Sequence, residues 1–122
     1  GRKRNLPDVY SRDRQVRNRA LRQGLNFTIQ SAASDILLCS LVGLHGKIKD
    51  RGMKSRIVAT VHDSVELIAP DEEVDDLCKL VHDELVNYPY IKEHFNIHLD
   101  VPLEIEILVG QSFGDGKEVF IK

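Results

Sequence analysis

The feature that most constrains the fold is a pair of short apolar runs separated by three polar residues. Arg56–Val61 and residues 65–69 are rich in β-branched and aliphatic side chains, and His62, Asp63 and Ser64 lie between them. Such side chains favour extended backbone, and a short polar link favours antiparallel pairing. The sequence therefore predicts a β-hairpin with a polar tip. Because both faces of the first run are largely apolar, we expect that strand to lie in a sheet covered on at least one side.

Helical patterns precede the hairpin. Ser11 is a suitable N-cap for a helix through about Gln23, and a second helix should begin near Asn26 and Thr28 and end at Gly52. The apolar residues of the second helix recur at three- and four-residue spacing: Ile29, Ala32, Ala33, Ile36, Leu37, Leu41, Leu44 and Ile48. We therefore expect a long amphipathic helix that packs against a core.

The pattern after the hairpin predicts a further helix and a last strand. The helix follows Pro70, and its acidic first turn, residues 71–73, complements the positive end of the helix dipole. Its apolar stripe is Val74, Leu77, Cys78, Val81 and Leu85. We expect a loop around residues 88–90 and a half-buried strand over residues 101–109, where apolar and polar side chains alternate. The chain is thus predicted to be α+β, with helices packed on a small antiparallel sheet around a central hairpin.

Charge is distributed unevenly along the 122 residues. Residues 1–61 hold 13 Lys and Arg against 4 Asp and Glu, a formal +9, whereas residues 62–122 hold 4 against 15, a formal −11. Clustered basic residues supply the salt-dependent part of nucleic-acid affinity, so the first half is expected to face a polyanion. An electrostatic match between the two halves of the chain remains open as an alternative.

The length and hydropathy of the chain limit how many domains it can form and whether it can span a membrane. The chain is long enough for one modest core, so it is one domain or part of one. Its uninterrupted apolar stretches are too short to span a bilayer, and no apolar region follows the basic start as in a secretory signal. We expect a cytoplasmic location and no membrane partner.

The hairpin tip is the strongest candidate for chemistry. A rigid hairpin can hold the Asp63 carboxylate against a divalent cation that bridges substrate phosphates. Taken alone this signal is weak, because an aspartate in a tight turn is usually present for backbone hydrogen bonding. The residue pattern alone therefore favours a structural role for Asp63.

Several segments, in order, resemble the C-terminal portion of family A, DNA polymerase I-like DNA polymerases. Residues 1–8, Gly-Arg-Lys-Arg-Asn-Leu-Pro-Asp, resemble the basic segment that leaves the fingers subdomain. Residues 26–35 resemble the Asn-x-x-x-Gln helix start, and Val-His-Asp-Ser at 61–64 resembles motif C, usually Val-His-Asp-Glu. Ala-Pro at 69–70 and Val-Pro-Leu-Glu-Ile at 101–105 follow in the same order. The resemblance implies a partial polymerase palm with motif C at the central hairpin.

The resemblance also implies roles for individual residues. Asp63 would be a ligand of catalytic Mg²⁺, and His62 would lie near the primer end as a catalytic and DNA-binding residue. The other DNA-binding residues would be Arg22, Asn26, Gln30, Arg2 and Arg4. Arg, Asn and Gln can hydrogen-bond the minor-groove acceptors that every correct base pair presents in nearly the same place.

Two features qualify the assignment of motif C. Ser64 replaces the usual glutamate, so a second carboxylate from this motif is lost. Residues 81–84, Val-His-Asp-Glu, are closer to the usual motif C sequence. However, these residues fall in the helix predicted after Pro70, where a rotation of about 100° per residue places Asp83 opposite the apolar stripe and in solvent. We therefore assign motif C to residues 61–64.

The expected function is that of one part of a DNA-directed DNA polymerase, with residues 1–28 from the end of the fingers and residues 29–122 from the palm. A two-metal site needs a second aspartate, that of motif A, which this chain lacks. The partners would be DNA template-primer, deoxynucleoside triphosphates and an N-terminal polymerase fragment or subunit, in a bacterial cell or in a virus-infected host. The chain alone is expected to be inactive. The alternatives are a non-catalytic DNA-binding module and a palm piece of a single-subunit RNA polymerase.

Overall fold

A single helix of 37 residues, α1 (Arg14–Asp50), is the longest element of the computed structural model, which describes residues 3–121. The chain divides into two units, residues 1–35 and residues 36–122. The prediction of two helices separated near Gly24 is wrong, because the helical backbone continues through that glycine.

Packing in the first unit accounts for the uninterrupted helix. A Cβ atom on Gly24 would lie 3.1 Å from Cδ1 of Leu6. The Arg4 guanidinium carbon lies 5.2 Å from the centroid of the Phe27 ring. The segment before the helix therefore runs along it, and the missing side chain at Gly24 lets Leu6 approach. This contact offsets the poor helix propensity of glycine, which a local reading of the sequence takes as a break.

The start of α1 also differs from the prediction. Asp13 is the N-cap: its Oδ1 accepts a hydrogen bond of 2.7 Å from the N–H of Gln15, and its carbonyl accepts the N–H of Arg17. The predicted cap, Ser11, accepts a hydrogen bond from the N–H of Asp13 instead. The helix begins after Asp13 rather than after Ser11, because the Asp13 carbonyl is the one that accepts the first helical hydrogen bond, from the N–H of Arg17.

The end of α1 confirms the predicted C-cap. Gly52 has a φ of +65°, its N–H donates to the Lys49 carbonyl at 3.0 Å, and the N–H of Met53 donates to the Ile48 carbonyl at 3.1 Å. This pair of hydrogen bonds is the Schellman motif, which needs a left-handed residue that glycine adopts without a Cβ clash.

The core of the second unit forms between α1 and α2 (Val74–Val86). Its buried residues are Leu44, Ile48, Leu77, Leu80 and Val81. The predicted stripe of α2 is confirmed by the burial of Leu77, Cys78 and Val81, although Leu80 and Glu84 are buried as well. Glu73, expected to complement the helix dipole, accepts the backbone N–H groups of Lys54 and Ser55, each at 2.9 Å. It therefore ties the loop after α1 to the start of α2.

The predicted loop at residues 88–90 is a helix, α3 (Pro89–Phe95). Proline suits the first position of a helix, because an N–H group at that position would make no hydrogen bond within the helix. Tyr88, just before α3, is buried with a φ of +38°, and its hydroxyl accepts the N–H of Leu99 at 3.0 Å. This long-range hydrogen bond anchors the junction.

The predicted hairpin is confirmed as β1 (Arg56–Val61) paired antiparallel with β2 (Ser64–Ile68), with an irregularity between Ile57 and Ala59. Ile57 and Leu67 pack against the core, whereas the remainder of β1 is exposed. The prediction that β1 is covered holds only at Ile57, because the other five residues of the strand are exposed among residues 3–121.

The predicted last strand is only partly present. Residues 103–109 keep the expected alternation of half-buried and exposed side chains, and Ile105 and Ile107 pack against the core. A strand forms only at β3 (Leu108–Val109), which pairs with β4 (Lys117–Glu118). The Ile107 carbonyl still accepts the N–H of Val119 at 2.9 Å, but residues 101–106 have no ladder partner in the described part of the chain. An extended segment without a partner is not a strand.

By length and composition, α1 contains one stretch that is long and apolar enough to cross a membrane. Its 18-residue window has a mean hydropathy of 1.5, and 17% of that window is buried. A single helix of this kind does not establish a membrane span, because the core helix of a water-soluble protein passes the same test.

Candidate metal-binding hairpin and nucleic-acid face

His62 and Asp63 form a two-residue turn between β1 and β2, where Val61 pairs with Ser64. His62 has a φ of +56°, a left-handed conformation that costs a residue with a Cβ about 1–3 kcal/mol. Both side chains are exposed. The hairpin thus holds an imidazole and a carboxylate in solvent at its tip, on a strained turn.

A second carboxylate of the hairpin, that of Glu66, lies beside Ser64 on β2. The Ser64 hydroxyl is 3.2 Å from Oε1 of Glu66 and 3.0 Å from the Val61 carbonyl oxygen. Glu66 is half-buried. The sequence analysis did not predict this contact, although alternate residues of a strand share a face and Ser64 and Glu66 therefore lie on the same side of β2.

The donor chemistry of the tip suits part of a magnesium site. The Asp63 carboxylate is a hard oxygen donor of the kind that Mg²⁺ prefers. Among residues 3–121, no three His, Cys, Asp or Glu side chains come together in a group that could hold a metal ion. The role of Asp63 as a magnesium ligand therefore stays a prediction.

A second group of predicted residues lies on α1 in the first unit. Arg22, Asn26 and Gln30 are four residues apart, so they follow one another along one side of the helix, and all three are exposed. Arg4 is exposed and stacks over Phe27. Arg2 lies outside the described residues. The hairpin tip belongs to the second unit, and the DNA-binding roles of both groups stay predictions.

The rejected alternative to motif C lies on α2. The Asp83 side chain is 52% exposed, as expected, but it is not isolated: Asn87 donates a 2.8 Å hydrogen bond to it, and the Lys47 ammonium lies 3.5 Å away. The Asn87 hydrogen bond and the Lys47 charge hold the pKa of Asp83 below its usual value. Asp83 thus belongs to a structural ion cluster.

Glu84 is the buried member of that cluster. Its side chain is fully buried and forms an ion pair with Lys47. This carboxylate is the main cause of a raised pKa for the Lys47 ammonium. The pair links α1 to α2 beside Gly43, where a Cβ atom would lie 2.5 Å from Oε2 of Glu84.

Comparison with known proteins gives concordant matches. Residues 1–115 match the family model of DNA polymerase family A. The DNA polymerase of Bacillus phage SP01 is 38% identical over 122 residues, which are 100% of this chain and 13% of that protein. DNA polymerase I of Bacillus subtilis (strain 168) is 35% identical over 116 residues, 95% of this chain and 12% of that protein. The chain therefore spans about an eighth of the length of these relatives.

A solved structure shows the same fold. The POL domain of Pol1 from M. smegmatis, in complex with DNA primer-template and dNTP, superposes with a TM-score of 0.69 at 38% sequence identity. The match covers 85% of this chain and 17% of that one.

Proposed function

Because this chain belongs to DNA polymerase family A, we propose that it supplies one part of the active site of a DNA-directed DNA polymerase. The observation that carries the proposal is the exposed carboxylate of Asp63 on the strained hairpin turn, within a chain that matches the family over residues 1–115. An upstream polymerase portion would supply the motif A aspartate. On this proposal the chain alone does not polymerise DNA.

Asp63 would hold Mg²⁺ together with that upstream aspartate. When bound, Mg²⁺ supplies positive charge that stabilises the attacking and leaving oxygens of phosphoryl transfer. The contribution of this chain is positional, because the paired strands on either side of the turn hold the carboxylate at a fixed place. His62, on the same turn, would donate a hydrogen bond near the primer end.

The face of α1 formed by Arg22, Asn26 and Gln30 would contact the minor groove of the template-primer. These side chains carry hydrogen-bond donors, and the minor groove offers acceptors at similar positions in all base pairs. Such contacts test the geometry of a base pair without selecting its sequence. Arg2 and Arg4 would contact the same DNA.

The remaining partners follow from the same proposal. The Pol1 domain was solved with primer-template and dNTP, which supports deoxynucleoside triphosphates and DNA as ligands of the assembled enzyme. An N-terminal polymerase fragment or subunit would complete it. The location would be the cytoplasm of a bacterium or of a virus-infected host cell, without a membrane partner.

Primer extension by this chain together with an upstream polymerase fragment tests the proposal. Asp63→Asn removes the charge and keeps the shape of the side chain. We expect it to slow extension about 10³-fold, since the lost charge stabilisation is several kcal/mol. Asp100→Asn, at an exposed site, is the matched control and should extend primers normally.

Two outcomes would favour the alternatives. Unchanged extension by Asp63→Asn, with template-primer binding retained, would leave a DNA-binding module without a catalytic role. Preferential incorporation of ribonucleotides by the wild-type assembly would indicate an RNA polymerase palm.

A further inference from the structure

Arg19 carries a positive charge on α1 that the proposed function does not use. Its side chain is exposed and forms no ion pair among residues 3–121. Residues 14–34 of the helix contain no Asp or Glu, so α1 offers it no carboxylate one turn away. Its neighbour three residues ahead is Arg22, and like charges on adjacent helical turns repel each other. An anion bound beside the two guanidinium groups would remove this repulsion.

Arg19 lies on the same side of α1 as the residues proposed to contact the minor groove. At about 100° per residue, its direction from the helix axis falls between those of Asn26 and Gln30. It differs from the direction of Arg22 by about 60°. Arg17, only two residues earlier, is also exposed but points about 160° away from Arg19. The helix therefore places one arginine with the proposed groove residues and one on nearly the opposite side.

The position of Arg19 along the helix favours contact with a phosphate rather than with a base edge. A helix with its side chains is about 10–12 Å wide and the minor groove about 6 Å, so α1 would lie across the groove instead of entering it. At about 1.5 Å per residue, residues 22–30 already span about 12 Å, and Arg19 lies about 4.5 Å beyond their N-terminal end. Helical side chains tilt toward the N-terminus, which carries the Arg19 guanidinium further from the centre of the groove. A sugar-phosphate strand borders the groove at that distance.

We propose that Arg19 binds a backbone phosphate of the template-primer, next to the minor groove contacted by Arg22, Asn26 and Gln30. The planar guanidinium group has paired N–H donors that fit two phosphate oxygens. Because every nucleotide carries a phosphate, this contact adds affinity without regard to base sequence. The inference rests on the proposed function, since it takes the neighbouring face of α1 to contact DNA.

The salt dependence of template-primer affinity tests this contact. Fluorescence anisotropy of a labelled template-primer gives its dissociation constant for the complex of this chain with an upstream polymerase fragment. Each neutralised phosphate contributes about 0.9 to the slope of log affinity against log salt. Arg19→Gln removes the charge at little cost in helix propensity, so the slope should fall by about 0.9. The advantage of the wild type over Arg19→Gln should therefore be about 3-fold larger at 50 mM NaCl than at 200 mM.

Arg17→Gln is the matched control, because it removes the same charge from the other side of the same helix. Its salt slope should equal that of the wild type. Arg19→Lys should recover the slope, since an ammonium group also neutralises a phosphate. A slope that Arg19→Gln leaves unchanged would overturn the inference. An equal fall in Arg17→Gln would also overturn it, because the basic helix would then act as a diffuse charge without a contact at Arg19.

Asn26→Ala separates this inference from the proposed function. Asn26 is uncharged, so its removal should weaken template-primer binding at every salt concentration and leave the slope unchanged. If Asn26→Ala weakens binding while Arg19→Gln leaves the slope unchanged, the inference about Arg19 fails and the proposed contact of α1 with DNA stands. If neither variant changes binding, both fail.

Discussion

Gly43 and Gly46 lie one helical turn apart on α1, and the same substitution should have different effects on stability at the two positions. A Cβ atom on Gly43 would lie 2.5 Å from Oε2 of Glu84 and 2.9 Å from Cβ of Tyr90, whereas a Cβ atom on Gly46 would meet nothing within 4 Å. Alanine is favoured over glycine in a helix interior by about 1 kcal/mol. Gly46→Ala should therefore raise the free energy of unfolding by about that amount.

At Gly43 the same gain in helix propensity is opposed by overpacking. An extra methyl group in a packed interface typically costs about 1–3 kcal/mol. Glu84 cannot easily move aside, because it is fully buried and paired with Lys47. The gain in helix propensity is common to both variants, so it cancels in their difference. We expect Gly43→Ala to be about 1–3 kcal/mol less stable than Gly46→Ala.

Urea unfolding followed by circular dichroism measures both variants against the wild type. The comparison requires similar slopes of free energy against urea, because a changed slope indicates a changed unfolded or folded state. If the two alanine variants are equally stabilised, the contact of Gly43 with Glu84 and Tyr90 does not exist in solution and the reasoning is refuted.

The remaining predictions concern the turn and the loop after α1. His62→Gly should raise the free energy of unfolding by about 1 kcal/mol, and with it the melting temperature, since glycine adopts a positive φ freely. Primer extension by the assembled enzyme should fall in the same variant. A lower melting temperature would contradict the argument that the turn is strained at His62. Glu73 has a pKa below its usual value of 4.5, chiefly because the Lys54 N–H and then the Ser55 hydroxyl donate to its carboxylate. Its stabilising contribution is therefore present above about pH 4.5 and lost as the pH falls through the lowered pKa. Urea unfolding should show that Glu73→Gln is less stable than the wild type at pH 7, and this difference in the free energy of unfolding should shrink toward pH 3. A difference that does not change with pH would contradict the role assigned to the Glu73 carboxylate.

Local patterns were sufficient wherever the deciding interactions lie close in sequence. The β-branched runs on either side of the polar tip predicted the hairpin, and its turn residues place Asp63 where motif order had assigned it. Gly52 ends α1 because its own φ decides the cap. The stripe of α2 followed from helical spacing alone. These are properties of a few neighbouring residues.

Local patterns failed where distant residues decide. Gly24 remains helical because Leu6 packs against it, and Pro89 starts a helix after the buried Tyr88, whose hydroxyl accepts the N–H of Leu99. Residues 101–106 alternate like a strand, but strand formation needs hydrogen bonds from a neighbour that no local pattern supplies.

For the site, the order of motifs along the chain predicted Asp63, His62 and the face of α1 carrying Arg22, Asn26 and Gln30, and their roles stay predictions. Folding revealed the link from Ser64 to Glu66, the ion pair of Glu84 with Lys47 and the loop held by Glu73. Candidate site residues can be predicted from sequence because their chemistry restricts which residue types can serve. Structural carboxylates such as Glu73 and Glu84 cannot, because many acidic residues have the required charge and only the three-dimensional packing selects the one that lies within reach.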